Sequence, residues 1–325
     1  MVTSASIAFK KQSRPLLVYI LGWGRSGSSI MANILGSMPE SASLGEVRYL
    51  WDRGILENGI CGCGEPFSEC DFWPGLSVAG GRLGDISPDR ASSLVKSIGS
   101  GARRSQIPAL QSDRTRRSYL ERNSADLDLL MELYASAFEK SESRVLVDAS
   151  KSPFYALNFL HEDRPFDVAF LHLVRDPRAV LYSWKKTKQR GDSSDDQLFP
   201  KYSSMRSLIQ WALVNSRCER FAKLAPGSYF QVRYEDFADN WPAALVSGAD
   251  GLFETTQDGM LPENGRTATV HAQHSISGNP SRFNLGEVTL KPDTSWNGAV
   301  TRMDRKLAAM ICGPVAGRYG YSMGG

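Results

Sequence analysis

The sequence predicts an α/β protein: a doubly wound parallel sheet flanked by helices in three layers. Short apolar runs, typical of strands that are buried on both faces, alternate along the chain with amphipathic helical segments. A strand, a helix and a second strand in succession form a parallel crossover, and a series of crossovers builds such a sheet. Ligands bind these sheets at the carboxyl ends of the strands. The loops after the strands are therefore the places where we expect function.

The individual elements follow from these patterns. Strands are predicted at 16–21, 43–47, 144–148, 168–174 and 229–233. Helices are predicted from Ser28 to just before Pro39, at 126–140, from Pro153, from Pro177, and at 204–224, 241–253 and 301–318. Asp176 is expected to cap the helix that has Pro177 at its first position. The segments 185–202 and 255–296 are predicted to be mostly loop, and the first of them is a candidate lid.

Composition sets the broad class. The chain has 325 residues, 42% hydrophobic and 22% charged, which suits one globular domain over 1–325 with a helical and loop insertion around 50–125. The net charge of +3 suits an anionic ligand and is too small to indicate nucleic acid as a partner. No run reaches the roughly 18 apolar residues of a membrane span, so we expect a cytoplasmic protein without a transmembrane segment. The sequence leaves a homo-oligomer open.

Three of the five cysteines, Cys61, Cys63 and Cys70, lie close together in a glycine-containing segment. A zinc site would need a fourth ligand, and the C-x-C spacing is not a standard zinc pair. We favour structural thiols in a compact turn and expect no metal, while a disulfide and a metal site stay open. Cys218 and Cys312 fall in helical patterns and are expected in the core.

A glycine loop follows the first strand and reads Gly22-Trp-Gly-Arg-Ser-Gly-Ser-Ser29. It has the glycine spacing of a phosphate-binding P-loop and a serine at its end, but Ser28 replaces the lysine and Arg25 lies inside the loop. A nucleoside triphosphatase needs that lysine on its phosphates. The loop therefore predicts a nucleotide-linked oxyanion that does not depend on Mg²⁺, held by N–H groups at a helix N-terminus. A plain glycine turn before a helix is the alternative.

A second candidate anion site lies at the end of the fourth predicted strand. Arg175 leaves the strand, and Ser183 follows about two helical turns later. Together they are able to grip a second phosphate, the arginine through bidentate hydrogen bonds. An ordinary helix start at Asp176 and Pro177 explains the same residues without a ligand.

Taken in order, these two elements resemble the sulfotransferase family that uses 3′-phosphoadenosine-5′-phosphosulfate (PAPS). Arg25-Ser-Gly-Ser-Ser29 is similar to the 5′-phosphosulfate loop of carbohydrate-acting and bacterial members, and Arg175 and Ser183 have the spacing of the family's 3′-phosphate site. The segments Tyr234–Phe237 and His274–Phe283 are also family-like. The resemblance spans 16–321, although 75–125 carries none of it.

The resemblance implies site residues as well as a fold. The donor PAPS, released as PAP, is expected to contact Gly24, Arg25, Ser26, Gly27, Ser28, Ser29, Arg175, Ser183, Gly278, Asn279 and Arg282. It implies transfer of a sulfonate without a metal, and Arg25 is expected to stabilise charge on the leaving phosphate. Glu46 occupies the family's position for the general base, and Lys151 is expected to contact the acceptor or the sulfonate. His271 and His274 are other candidates for the base, and a surface ion pair with Arg48 is the alternative for Glu46.

The acceptor is expected to be a hydroxyl on a sugar, a glycolipid or another small molecule, bound near 50–125 and the 185–202 loop. The aromatic residues Tyr49, Trp51, Phe72 and Trp73 are consistent with sugar stacking or with simple packing. An atypical P-loop kinase is the second hypothesis. It lacks the loop lysine and has only Asp148 as a strand-end ligand for Mg²⁺. A nucleotide-binding module without catalysis is the third.

Overall fold

The computed structural model describes residues 7–186, 201–255 and 265–324, without the side chains of 103–105. The strands are β1 Ile7–Phe9, β2 Leu16–Gly22, β3 Ser41–Gly45, β4 Ser77–Val78, β5 Gly81–Arg82, β6 Val145–Lys151, β7 Asp167–Val174, β8 Tyr229–Arg233, β9 Phe253–Thr255, β10 Thr267–Val270 and β11 Gly286–Thr289. The α-helices are α1 Ser28–Gly36, α2 Pro88–Ser97, α3 Arg103–Gln111, α4 Asp113–Arg122, α5 Ser124–Ser141, α6 Pro177–Lys185, α7 Ser204–Ala222, α8 Tyr234–Asp239, α9 Trp241–Gly248, α10 Trp296–Ala299 and α11 Arg302–Ala316. A π-helix covers Leu50–Leu56, and short 3₁₀ turns include Val47–Tyr49, Tyr155–Leu160 and Pro280–Phe283. Among the described helices, none is both long and apolar enough to cross a bilayer.

Five parallel strands form the central sheet in the order β3–β6–β2–β7–β8. From β2 the chain passes through α1 to β3 on one side, whereas from β7 it passes through α6 and α7 to β8 on the other side. Connections that diverge from neighbouring strands open a crevice at the carboxyl end of the sheet. The glycine loop after β2 and the loop after β7 therefore face each other across this crevice.

Side chains of β2 alternate between two buried cores, as the two-residue period of a strand requires. One core contains Leu17, Tyr19 and Leu21 with residues of α5 and α7, and the other contains Leu16, Val18 and Ile20 with residues of α1 and α9. All of these strand residues are buried. Helices thus cover both faces of the sheet, which confirms the predicted three-layer α/β fold.

Most predicted elements are found close to their expected limits. The five predicted strands correspond to β2, β3, β6, β7 and β8, and the helices expected from Ser28, at 126–140, from Pro177, at 204–224 and at 301–318 correspond to α1, α5, α6, α7 and α11. Asp176 accepts a hydrogen bond from the backbone N–H of Arg178 at 2.8 Å, which confirms it as the cap of α6. These elements have long apolar patterns and clear caps, the local signals that are strongest in a sequence.

Three segments differ from the prediction. The helix expected from Pro153 is only the 3₁₀ turn Tyr155–Leu160. The helix expected at 241–253 ends at Gly248, and the chain then enters β9, which pairs with β1. The segment 255–296 contains the antiparallel pair β10 and β11 where loop was expected. The last two differences depend on strand pairing between separate parts of the chain. Of the candidate lid 185–202, residues 187–200 lie outside the described part of the chain.

A buried histidine on β7 makes the fold sensitive to acid. His172 is fully buried; its Nε2 lies 2.9 Å from Oδ1 of Asn215, and the Tyr229 hydroxyl lies 2.6 Å from its Nδ1. Because an amide oxygen only accepts, Nε2 carries the proton and Nδ1 accepts from the tyrosine. Burial lowers the pKa of His172 to about 4. The unfolded chain therefore takes up a proton at a higher pH than the folded chain does.

We expect the stabilisation from neutral His172 to be complete above a pH of about 6.5 and to be lost as the pH falls toward about 4, by up to about 3 kcal/mol. Urea denaturation at several pH values in this window measures the free energy of unfolding. The His172→Gln variant does not titrate here, so its stability should fall less over the same window. An equal fall in both proteins would contradict this origin of the acid sensitivity.

Candidate active site

A cavity of about 680 Å³ opens at the carboxyl end of the sheet, where the loops after β2, β3, β6 and β7 converge. This volume is within the range of about 300–1,000 Å³ that is usual for small-molecule and cofactor sites. The late segment 279–293 and the end of α6 complete the wall. The cavity lies where the sheet topology predicts a ligand.

The glycine loop forms one wall through Gly24, Arg25, Gly27, Ser28 and Ser29. A side chain at Gly27 would place its Cβ 2.4 Å from the ring of Tyr234, and the φ of +92° at Gly27 also favours glycine. The helix α1 begins at Ser28 with no side-chain cap and no acidic residue in its first turn. Its first N–H groups therefore have no competing side chain from the first turn of the helix itself.

Arg25 lies at the tip of the loop, in the left-handed region with a φ of 71°. Its guanidinium lies 5.0 Å from the ring centre of Trp184, a cation–π contact that holds it against the cavity wall. Burial lowers the pKa of Arg25, and the charge of Glu46 acts in the opposite direction. Trp184 is only 9% exposed and stacks on Tyr202, so it packs in the wall.

Glu46 and Lys151 meet across the floor of the cavity. Glu46 follows β3 and Lys151 ends β6, and Oε1 of Glu46 lies 2.6 Å from Nζ of Lys151 with each side chain 14% exposed. The backbone N–H of Glu46 donates to the carbonyl of Ile276 at 2.7 Å, which fixes its position. The alternative partner, Arg48, packs over the ring of Tyr49 instead. The structure thus brings two predicted catalytic residues into direct contact.

Arg175 lines the cavity beside the glycine loop. One of its nitrogens donates to Asp293 at 2.8 Å, another donates to the carbonyl of Arg25 at 3.2 Å, and its guanidinium lies over the ring of Tyr234. Burial would raise the pKa of Asp293, but hydrogen bonds from Ser295 and Arg175 hold it below its ordinary value. Ser183 lines the same cavity from α6. The arginine and the glycine loop are therefore immediate neighbours.

The late segment contributes less than predicted to the main cavity. Asn279 lines it, and its backbone N–H lies 3.4 Å from Oγ of Ser29. Ser26 is buried at 2% exposure and does not line the main cavity, whereas Gly278 and Arg282 line a small adjoining one.

Arg282 has its polar partners within the protein. Its guanidinium donates to the carbonyls of Ser275 at 2.7 Å, Ser277 at 2.8 Å and Ile60 at 2.5 Å. Arg282 is 3% exposed. Arg282 is therefore buried in the late loop, where its hydrogen bonds hold the backbone at Ser275, Ser277 and Ile60 together.

Several basic residues of the cavity were missed in the sequence. Seven Lys or Arg side chains and two acidic ones line its described part. The missed ones are Arg48, Arg53, Lys186 and Lys291. Arg53 reaches the wall because the chain turns through the π-helix, and its guanidinium donates to Ser277. No local motif marks these four residues, and the cavity's excess of five positive side chains exceeds the net charge of +3 of the whole chain.

Most of the other candidate residues lie outside the cavity. His271 and His274 do not line it, and of the four aromatic candidates only Tyr49 does; Trp51, Phe72 and Trp73 are buried in the core. Asp148 is fully buried, and its oxygens accept from the Tyr134 hydroxyl at 2.6 Å and from the N–H of Ser150 at 2.7 Å. Burial raises the pKa of Asp148 to about 6. No candidate magnesium carboxylate from the second hypothesis therefore faces the cavity.

No protein-family model and no curated protein match the chain. Solved structures that are similar to it include the two described here. One is the sulfotransferase domain from the Synechococcus PCC 7002 olefin synthase, at 18% identity and a TM-score of 0.45, covering 97% of this chain and 98% of that one. The other is the sulfotransferase domain from the curacin biosynthetic pathway, at 18% identity and a TM-score of 0.42, covering 92% and 98%. The assignments that follow depend on the site's own residues.

Proposed function

We propose that this protein is a sulfotransferase that moves a sulfonate group from PAPS to an acceptor hydroxyl. The observation that carries the proposal is the contact between Arg175 and the carbonyl of Arg25, which joins two anion-binding elements that are 150 residues apart in the chain. PAPS has a phosphosulfate on one side of its ribose and a phosphate on the other. Two adjacent anion sites in one basic cavity match that pattern, whereas the phosphates of ATP form a single chain.

The two sites divide the donor between them. We assign the 5′-phosphosulfate to the glycine loop, where Ser28 and Ser29 begin α1 and Arg25 supplies positive charge. We assign the 3′-phosphate to Arg175 and Ser183, in the place that the carboxylate of Asp293 now occupies. The buried contacts of Arg282 favour a role in holding the late loop, and we do not assign it to phosphate.

The chemistry follows from the residues at the glycine-loop end. The acceptor oxygen attacks sulfur, the bond from sulfur to the leaving phosphate oxygen of PAP breaks, and the acceptor proton passes to Glu46. Arg25 and the loop N–H groups stabilise the negative charge that develops on the leaving oxygen. Lys151, whose Nζ lies 2.6 Å from Oε1 of Glu46, orients that carboxylate, and we assign it to a sulfonate oxygen as well.

We also propose an acceptor side and a location. Ser100, Gln106 and Tyr49 line the cavity from the predicted insertion, and Phe154 lines it from the loop after β6. This mixture of polar and aromatic groups suits a sugar, a glycolipid or a small alcohol. Transfer from a soluble intracellular donor is consistent with a cytoplasmic enzyme.

Calorimetry and transfer assays test the proposal. We expect PAP to bind without Mg²⁺ and more tightly than 5′-AMP, which lacks the second phosphate. We also expect radioactive sulfate to pass from labelled PAPS to some members of a panel of sugars, glycolipids and alcohols. Tighter, Mg²⁺-dependent binding of ATP would favour the kinase hypothesis. Binding of PAP with no transfer to any acceptor would favour a module without catalysis.

A further inference from the structure

Three cysteine sulfurs and one histidine nitrogen meet outside the cavity. Cys61, Cys63 and Cys70 come from one turn, and His274 comes from 204 residues beyond Cys70. Their four ligand atoms lie within 4.8 Å of one another. None of the four residues lines the main cavity. The tertiary structure therefore supplies the fourth ligand that the cysteine spacing alone lacked.

The spacing of these atoms fits a tetrahedral metal ion. The sulfur of Cys70 lies 3.6 Å from that of Cys61, 3.8 Å from that of Cys63 and 3.3 Å from Nδ1 of His274. Zn–S bonds of about 2.3 Å in a tetrahedron place two sulfurs about 3.8 Å apart. A disulfide needs about 2.05 Å. The three thiols form no disulfide, and the distances between their sulfurs are those expected for ligands of one metal ion.

The turn that carries the cysteines also presents backbone N–H groups to their sulfurs. The N–H of Cys63 donates to the sulfur of Cys61, the N–H of Glu65 to that of Cys63, and the N–H groups of Phe72 and Trp73 to that of Cys70. The turn depends on Gly64, with a φ of +100°.

His274 is held in position by neighbours on both sides. The ring of Phe72 stacks on it with centroids 4.9 Å apart, and Nε1 of Trp73 donates to its carbonyl at 2.8 Å. Nδ1 faces the sulfurs, while Nε2 lies 3.7 Å from the carboxylate of Asp71. A carboxylate behind a metal-binding histidine is a recurring way to orient the ring. The histidine is therefore oriented before any ion arrives.

We propose that Cys61, Cys63, Cys70 and His274 bind one structural Zn²⁺. Thiolate and imidazole ligands select zinc among common divalent ions, and four protein ligands leave no open position for catalysis. On binding, each cysteine thiol loses its proton to solvent and four bonds to zinc form, with no change of oxidation state.

The zinc fastens two segments that lie next to the active-site cavity and do not line it at the ligand residues. The N–H of Gly62 already donates to the carbonyl of Ser275 at 3.0 Å, and Arg282 donates to the carbonyl of Ile60. Asn279, five residues beyond His274, contacts Ser29 of the glycine loop. The ion thus organises the late loop without contacting either substrate. Its binding does not depend on the proposed reaction.

Metal analysis tests the site directly. We expect the reduced, untagged protein to hold about one zinc per chain by mass spectrometry. Cobalt in its place should show the visible spectrum of a tetrahedral thiolate site. Less than about a tenth of an equivalent after reconstitution with equimolar zinc would overturn the proposal, because zinc sites of this type are far tighter than that. So would a disulfide among the three cysteines, detected by alkylation and intact mass.

Matched variants locate the ion. His274→Ala and Cys70→Ser should lose most of the zinc, whereas His271→Ala in the same segment and Cys312→Ser in α11 should retain it. Unchanged zinc in both ligand variants would overturn the assignment. If the ligand variants do not fold, a mercurial that reacts with thiols is applied to the unmodified protein. It should release zinc in proportion to the modification of Cys61, Cys63 and Cys70, and release without modification of these residues would overturn the site.

Discussion

The Glu46→Gln variant is expected to lower the rate of sulfonate transfer at saturating substrates by about a hundredfold or more. Glutamine has nearly the same shape but cannot take a proton from the acceptor. Glu46 and Asp293 are the acidic residues in the described cavity lining. Asp293 is bonded to Arg175, whereas Glu46 contacts Lys151, so Glu46 is the carboxylate that we assign as the base. Transfer of labelled sulfate, with calorimetry of PAP, separates the chemical step from binding.

A matched control uses the other end of the same strand. Glu40 directly precedes β3 and is exposed, whereas Glu46 directly follows it, so Glu40→Gln should retain full activity. The affinity of Glu46→Gln for PAP should stay within about threefold of that of the unmodified protein, a change of under about 1 kcal/mol. If Glu46 serves only as the partner of Lys151, its removal would slow transfer less than tenfold, and the assignment as base would be wrong.

The Arg175→Ala variant is expected to weaken PAP binding by about 30- to 1,000-fold, the effect of losing about 2–4 kcal/mol of charge-assisted hydrogen bonds in a buried site. Calorimetry with PAP and with 5′-AMP measures the effect for each end of the nucleotide. Because 5′-AMP has no 3′-phosphate, its affinity should change much less than that of PAP.

The comparison also tests an indirect effect. Arg175 donates to the carbonyl of Arg25, so the alternative explanation is that its removal disturbs only the glycine loop. In that case the affinities for PAP and for 5′-AMP would fall by the same factor, and the 3′-phosphate assignment would be wrong. Arg144→Ala is the control: this exposed arginine directly precedes β6, at the opposite end of the sheet, and its variant should bind PAP normally.

The sequence predicted what depends on local patterns. The glycine loop at 22–29 and the Arg175–Ser183 spacing both lie at strand-to-helix junctions, where a few adjacent residues determine the backbone. Parallel strands carry their following loops to one edge, so the convergence of these elements was also predictable. For the same reason Glu46 and Lys151, each at a strand end, were correctly expected near the crevice, although their direct contact was not.

The remaining features depend on contacts between distant segments. Examples are the direction of the Arg282 side chain, the pairing of β1 with β9, and the positions of Arg48 and Arg53 in the cavity wall. These features belong to irregular segments, in which no hydrophobic periodicity predicts the packing. The same limit applies to the metal ligands, since nothing near His274 in the sequence indicates three cysteines 204 or more residues earlier. By itself, the sequence determined the sheet and the two loops that we propose bind anions, because both follow from neighbouring residues. Only the tertiary structure decided which charges share the cavity and which histidine meets the cysteines, because packing alone brings such distant residues together.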